Sequence, residues 1–252
     1  MGPPHSVQQL IQGTPTFTPT ITLTPSPSPT ATTTLTPTRT PTPTATPNLT
    51  ATQQYESFIG FVQRAFEEGQ ITTTEGKYRK LDDFSGEVAM TYGFRWKSTG
   101  VNTKDFIIRA EFDWEVANEI NNSGCGYIFR QSQEEYYALI ALDARRGTLL
   151  AYTKTVNDMF GNFSVIHARI DPIKKTQLPK MGQNPYHAIF TLIVNEKNVY
   201  TYVNDEFFTE YRLSKDFPST VGDLSSMVLT GSINDFGTRC KITNSELWII
   251  EQ

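Results

Sequence analysis

Several features that mark common protein classes are absent from this sequence. It has only three histidines and two cysteines, without a C-x-x-C pair, so no metal site of the zinc type is expected. It lacks G-x-G-x-x-G and Walker patterns, which argues against nucleotide binding. No apolar run reaches the roughly 18 residues of a membrane span. Residues 1–10 lack the basic start and apolar core of a signal peptide, so any targeting or anchoring segment is not visible here.

Charge is nearly absent from the first 55 residues, where Arg39 is the only ionised side chain. From Glu56 onward the chain holds all 26 acidic and 21 of the 22 basic residues, a net charge near −5. Phosphate backbones select clustered Lys and Arg. We therefore expect no nucleic-acid partner.

The N-terminal segment is rich in threonine and proline. Thr-Pro and Ser-Pro pairs recur over residues 14–47. Proline fixes its own φ and restrains the residue before it, which favours an extended polyproline-II chain over a globular one. Residues 1–47 are therefore predicted to be a disordered, semi-rigid stalk, a spacer typical of exported surface proteins.

Residues 48–69 are predicted to form one amphipathic helix. Thr50 with Gln53 fits a capping box, and Gly69 is a natural C-terminal stop. The helix carries acidic rather than basic charge, so it is expected to pack on protein rather than lie on a membrane. Its predicted apolar face contains Tyr55, Phe58, Ile59, Val62 and Phe66.

From residue 70 onward the hydrophobic period becomes two. Residues 106–116 alternate strictly, with Phe112 and Trp114 on the apolar face, and Val88 to Trp96 alternate in the same way. Residues 124–130 and 136–142 read as a hairpin of two central strands. A dozen short strands without helical patterns between them predict an all-β, antiparallel jelly-roll sandwich over residues 70–252.

Three stretches carry a family resemblance. Residues 191–205 resemble the hairpin of concanavalin A-like, laminin-G-like jelly-roll domains, which ends in Val-Asn-Gly; here Asp205 replaces the glycine. Residues 124–130, and residues 235–240 with 246–248, are similar to bacterial surface proteins in which such a domain follows a Thr/Pro-rich stalk. The resemblance implies a concanavalin A-like fold and an extracellular or cell-surface location. Activity varies widely on this fold, so only the architecture is carried over.

One strand carries a candidate catalytic pattern. Glu111, Asp113 and Glu115 form E-x-D-x-E on one strand face. The pattern resembles the catalytic strand of jelly-roll β-glucan hydrolases, in which the first Glu is the nucleophile, the last is the acid/base and the Asp tunes the pair. The alternative is a solvated acidic face neutralised across the sheet by Arg95 and Lys97. No cluster of tryptophans accompanies the pattern, and the solvated face is the preferred interpretation.

Aromatic residues offer the second candidate site. Sugar-binding sites combine exposed aromatic faces with amide, carboxylate and guanidinium groups. Each tyrosine has a core role as its alternative, because tyrosine is a favoured strand residue. The residues chosen as candidate glycan ligands are Arg130, Tyr136, Tyr137, Tyr152, Tyr202 and Asn204.

Cysteine and aspartate suggest two further features. Cys125 and Cys240 are predicted to form a disulfide, because the stalk indicates export to an oxidising compartment; two buried thiols are the alternative. Asp143, Asp158 and Asp171 could in principle bind structural calcium, but their spacing is not that of a calcium loop, so no cofactor is expected. His167 and His187 fall in strands without a nucleophile motif.

Together these patterns predict an extracellular or surface-attached, non-catalytic binding module. The preferred ligand is a polysaccharide or glycoconjugate, and a surface protein is the second choice. A jelly-roll glycoside hydrolase using Glu111, Asp113 and Glu115, or a purely structural surface domain, are the alternatives. The decisive question is whether those carboxylates line a groove.

Overall fold

The computed structural model describes residues 49–89, 93–117, 123–132, 137–143, 148–156, 163–170, 184–215, 217–230 and 235–251. Within these residues the chain forms one helix and two antiparallel sheets that pack as a jelly-roll β-sandwich, which confirms the predicted fold class. The predicted stalk over residues 1–47 lies outside them. In the described part of the chain, no helix is long and apolar enough to cross a membrane.

The first sheet has seven strands in the order β1-β13-β4-β9-β10-β11, with β2 also paired to β13. Strand β4 lies inside this sheet, between β13 and β9. Its strands are β1 (Gly76–Lys80), β2 (Phe84–Val88), β4 (Phe106–Val116), β9 (Tyr186–Asn195), β10 (Asn198–Val203), β11 (Glu206–Arg212) and β13 (Thr238–Ile250).

The second sheet has six strands in the order β3-β12-β5-β6-β7-β8. The hairpin formed by β5 and β6 occupies its centre, as the sequence predicts. Its strands are β3 (Gly93–Thr103), β5 (Ser123–Gln131), β6 (Tyr137–Asp143), β7 (Thr148–Val156), β8 (Phe163–Ile170) and β12 (Gly222–Thr230).

The main core lies between the two sheets and follows the period of two. On β4, from Ile108 onward, the buried side chains of Ile108, Phe112 and Trp114 alternate with half-buried polar ones. Since successive side chains point to opposite faces, this alternation places β4's polar side chains on the outer face of the first sheet. A disulfide joins Cys125 in β5 to Cys240 in β13, across the two sheets, with Cα atoms 5.8 Å apart.

Helix α1 (Leu49–Glu67) covers part of that outer face. Gly69, at φ 73°, ends it in a Schellman motif, in which Gln70 N donates to Ala65 O at 2.9 Å and Gly69 N donates to Phe66 O at 3.0 Å. The helix and the sheet share a second apolar cluster, made of Phe58, Phe61, Val62, Ala65, Ile71, Ile107, Ile193, Tyr202 and Ile250.

The buried face of α1 differs from the predicted one. Phe61 and Ala65 are buried, whereas Tyr55 and Phe66 are each 42% exposed. Both apolar stripes have helical spacing, so the sequence alone did not decide which one meets the sheet. The sheet selects the stripe that fits between Ile107 and Ile193.

The strands differ from the predicted pattern in two places. Residues 88–96 do not form one strand: β2 pairs in the first sheet and β3 in the second, so Trp96 at the edge is 50% exposed rather than in the core. Strand β1 was missed because its polar sequence, tolerated at a sheet edge, shows no alternation.

The Asn204–Asp205 turn keeps its hairpin geometry without glycine. Both residues have positive φ, 53° and 65°, as a type I′ turn requires of its two central residues. Asparagine and aspartate tolerate this region better than other non-glycine residues.

We expect Phe58→Ala to lower the free energy of unfolding by about 3–5 kcal/mol, since it removes a fully buried aromatic ring between helix and sheet. Urea unfolding followed by tryptophan fluorescence measures the change. Phe66→Ala, on the same helix but 42% exposed, is the matched control and should cost much less. Equal losses for the two variants would contradict the described packing of α1.

Candidate functional site

The outer face of the first sheet is divided into a covered part and an open part. Along β4, Ile107 lies in the apolar cluster under α1 and is fully buried. Beyond it come Arg109, Glu111, Asp113 and Glu115, each half-buried on the same outer face. The three carboxylates of the E-x-D-x-E pattern therefore share one face of β4, beyond the residue that the helix covers.

A groove of about 280 Å³ lies between α1 and this face. We call it the α1 groove. The helix, β4, β9 and β13 each contribute to its walls. It is lined by Gln53, Gln54, Ser57, Arg109, Ala110, Glu111, Ile189, Asn244 and Glu246.

Most of the polar groups of the α1 groove have free hydrogen-bonding capacity. In the part of the chain that the structure describes, the side chains of Gln53, Gln54, Glu111 and Asn244 make no hydrogen bond or ion pair. Asn244 has φ 51°, in the irregular part of β13. The groove thus presents amide donors and acceptors and one carboxylate beside the apolar side chain of Ile189.

Two charged residues of the groove are already engaged. Arg109 Nη2 donates to Asp205 Oδ2 at 2.8 Å. Glu246 Oε1 accepts a hydrogen bond from Tyr78 Oη at 3.1 Å. Burial raises the pKa of Glu246, while the Tyr78 hydrogen bond and the charge of Arg109 oppose part of that rise. Burial and the neighbouring Glu246 raise the pKa of Tyr78 to about 12, so this phenol stays a donor at neutral pH.

Tyr55 carries an exposed aromatic ring on α1, outside the lining of the groove. It lies on α1 beside Gln54 and is 42% exposed. Its ring contacts Tyr78 edge to face, with centroids 4.9 Å apart. Through Tyr78, the ring is linked to Glu246 in the groove wall.

A second, shallower depression of about 170 Å³ lies further along β4. Asp113 Oδ1 lies 2.7 Å from His187 Nδ1 on β9, and Lys241 on β13 is directly opposite in the register. The depression is lined by Ser85, Asp113, Trp114, Glu115, Pro185, Arg239, Cys240 and Lys241. We call it the β13 depression.

Glu115 is neutralised by residues other than those expected. Arg239 Nη1 lies 3.9 Å from Glu115, and Arg239 Nε donates to Glu87 at 2.6 Å. Arg95 and Lys97 were expected to fill this role, but they lie on β3, in the other sheet. The expected cross-strand neutralisation is present, but Lys241 and Arg239 on β13 supply it.

Arg130 is not a surface ligand residue. Its guanidinium is fully buried and donates to Asp105 Oδ1 at 3.0 Å, to Lys104 O at 3.0 Å and to Glu196 O at 2.6 Å. Burial lowers the pKa of the guanidinium, and the Asp105 carboxylate opposes that shift. The prediction that Arg130 binds a ligand was wrong because its donors are consumed inside the protein.

Tyr202 is not a ligand residue either. It is 4% exposed and packs under α1, with its ring edge to face against Phe61 at 5.1 Å. Its hydroxyl accepts from Gln70 at 2.6 Å and donates to Glu68 at 2.9 Å. Tyr202 therefore fastens the C-terminal end of the helix to the sheet.

Asn204 is exposed but lies beside the α1 groove rather than in its lining. Its Oδ1 accepts a hydrogen bond from Ile189 N at 2.9 Å, and its own N donates to Ile189 O at 2.8 Å. Since Ile189 lines the groove, Asn204 supports its floor.

The lining of the α1 groove includes none of the remaining candidate residues. Tyr137 lies in β6 and Tyr152 in β7, both in the second sheet. Asp143 is the last residue of β6. Tyr136, Asp158 and Asp171 lie outside the described residues.

Sequence reasoning missed the helical wall of the groove. Gln53, Gln54 and Ser57 have spacings of three and four, so they share one helix face. That polar stripe was visible in the sequence. Its position above Glu111 was not, because it depends on which apolar stripe of α1 meets the sheet.

Comparison with known proteins gives a likeness of fold. No protein family model matches the sequence, and no curated protein is significantly similar to it. The structure is similar to a fructosyltransferase from A. japonicus, with 13% identity and a TM-score of 0.45, over 71% of this chain and 27% of that one. It is also similar to the carbohydrate binding module CBM66 from Bacillus subtilis, with 12% identity and a TM-score of 0.39, over 67% and 94% of the two chains.

A third similar structure is the kappa-carrageenase from Pseudoalteromonas carrageenovora, with 8% identity and a TM-score of 0.39, over 61% of this chain and 67% of that one. The chain spans only about a quarter (27%) of the length of the A. japonicus structures. At these identities the likeness is one of fold alone, and it does not distinguish a binding protein from an enzyme.

We expect Arg130→Met to lower the free energy of unfolding by about 3–5 kcal/mol, because it leaves the carboxylate of Asp105, whose side chain is 2% exposed, without its buried partner. Thermal and urea unfolding measure the loss. Arg95→Met removes an exposed arginine and should change stability by no more than about 0.5 kcal/mol. A stable Arg130→Met variant would contradict the structural role assigned to Arg130.

Proposed function

We propose that this protein is an exported, non-catalytic binding module whose ligand is a glycan held in the α1 groove. The observation that carries the proposal is the set of free amide and carboxylate groups beside the apolar side chain of Ile189. Sugars present hydroxyl groups that both donate and accept, together with apolar C–H faces. Side-chain amides match both roles, since each has two donors and a carbonyl acceptor.

Export is supported by the cysteines and the N-terminal composition. The Cys125–Cys240 disulfide requires an oxidising compartment in most cells. The Thr/Pro-rich residues 14–47 are proposed to act as the spacer that holds the domain away from a surface.

Hydrolysis is the second candidate, and one observation favours it: the Asp113 carboxylate is 2.7 Å from His187, as a tuned carboxylate would be. The positions of the glutamates favour binding instead. Glu111 lines the α1 groove and Glu115 lines the β13 depression, so the two side chains do not share one groove. Because residues four apart on a strand have Cα atoms about 13 Å apart, both glutamates would have to lean toward one sugar to bring their carboxyl groups to the roughly 5–5.5 Å of retaining enzymes.

We expect the full chain to be retarded in native gels that contain its polysaccharide, with the polymer left intact. The double variant Gln54→Ala/Asn244→Ala should weaken binding about tenfold, since two hydrogen bonds of about 0.5–1.5 kcal/mol each are lost. Asn198→Ala removes an exposed amide outside the groove and is the control. Failure of every neutral and charged polysaccharide tested to retard the protein would overturn the proposal.

Glu115→Gln separates the two candidate functions. In a binding module the variant should retain wild-type retardation, because the Glu115 side chain lies outside the α1 groove. A cleared zone around the wild-type band, lost in Glu115→Gln while retardation persists, would establish hydrolysis in place of simple binding. Staining of the gel for residual polymer measures both outcomes.

A further inference from the structure

The charge pattern along β4 singles out one carboxylate. Asp113 faces His187 on one side and Lys241 on the other, and Glu115 faces Arg239. Glu111 instead lies between Thr243 on β13 and Ile189 on β9, neither of which carries charge. Opposite charges on neighbouring strands stabilise a sheet, so Glu111 is the acid of this row whose counter-charge the sheet does not provide.

The surroundings of Glu111 increase the free energy that a charged partner would gain by binding it. Its side chain is half-buried in the α1 groove, next to Ile189 and beneath the helix. A carboxylate in such a place has lost part of its hydration, so a charged donor gains more there than on an open surface.

The rest of the groove does not supply that charge. Arg109 is engaged by Asp205 at 2.8 Å. Glu246 adds a second carboxylate to the wall, and burial raises its pKa, which indicates that its ionised form is also short of hydration. With two carboxylates and one arginine in its lining, the groove is acidic.

From this pattern we infer that the ligand of the α1 groove is a polysaccharide with free amino groups, whose ammonium is bound by Glu111. The inference rests on the proposed glycan-binding function and adds the class of sugar to it. An ammonium has three N–H donors and no acceptor. The groove places acceptors of matching number around it: the carboxylate of Glu111 and the amide oxygens of Gln54 and Asn244.

The same electrostatics exclude other ligands. Sulfated and uronic-acid polymers would bring negative charge to Glu111 and Glu246, which repel it. A bound metal ion is not favoured, because no group of three or more candidate ligand side chains occurs among the residues that the structure describes.

The test compares two oligosaccharides of equal length: fully deacetylated chitosan, with protonated amines, and its fully N-acetylated counterpart. Isothermal titration of the full chain should give about tenfold or greater preference for the deacetylated form at low salt. Glu111→Gln should remove most of that preference, and added salt should reduce it. Glu210→Gln, which changes an exposed carboxylate outside the groove, should leave it intact.

The outcomes test the amino-sugar assignment separately from the proposed glycan-binding function. Equal affinity for both oligosaccharides, or an unchanged preference in Glu111→Gln, would overturn the amino-sugar assignment and leave glycan binding standing. Binding of neither oligosaccharide, nor of any polysaccharide in the native gels, would overturn both. Binding of polylysine with equal affinity would replace the glycan with a basic peptide and also overturn the assignment.

Discussion

The apolar contact between helix α1 and the outer face of the first sheet is the constraint on which the candidate site depends. Phe58 and Val62 are buried in one cluster with Ile107 and Ile193, and Tyr202 fastens the helix end through its hydroxyl. Burying this stripe turns the polar side of the helix toward the open part of β4. A groove with a helical wall follows, where a bare sheet would present a flat surface.

Strand β4 combines two roles because its side chains alternate. The inward set builds the core between the sheets, and the outward set first meets the helix at Ile107 and then continues as a charged row. Within that row the neighbours decide the chemistry of each acid. Asp113 and Glu115 face Lys241 and Arg239 on β13, whereas Glu111 faces an alkyl chain and a hydroxyl. Three acids in one motif thus have different environments.

Prediction from sequence succeeded where a local period carries the information. The alternation of residues 106–116 and the hairpin around residues 124–142 identify strands and their core faces, and Gly69 marks the helix end. It failed at the edges, where packing rather than pattern decides. Strand β1 has no alternation, and Trp96 follows the pattern of a core residue but lies on an edge strand. Arg130 resembled a ligand residue because burial of a charge depends on distant partners.

The sequence by itself determined the all-β class, the helix before it and the shared face of Glu111, Asp113 and Glu115, because these follow from the periods of strands and helices along one stretch of chain. Only the tertiary structure decided which stripe of α1 meets the sheet, which strands flank β4 and which acid is left without a counter-charge. Those features join residues far apart in sequence, such as Gln54, Glu111 and Asn244. No local pattern encodes such contacts, since they depend on the register and packing of the whole sandwich.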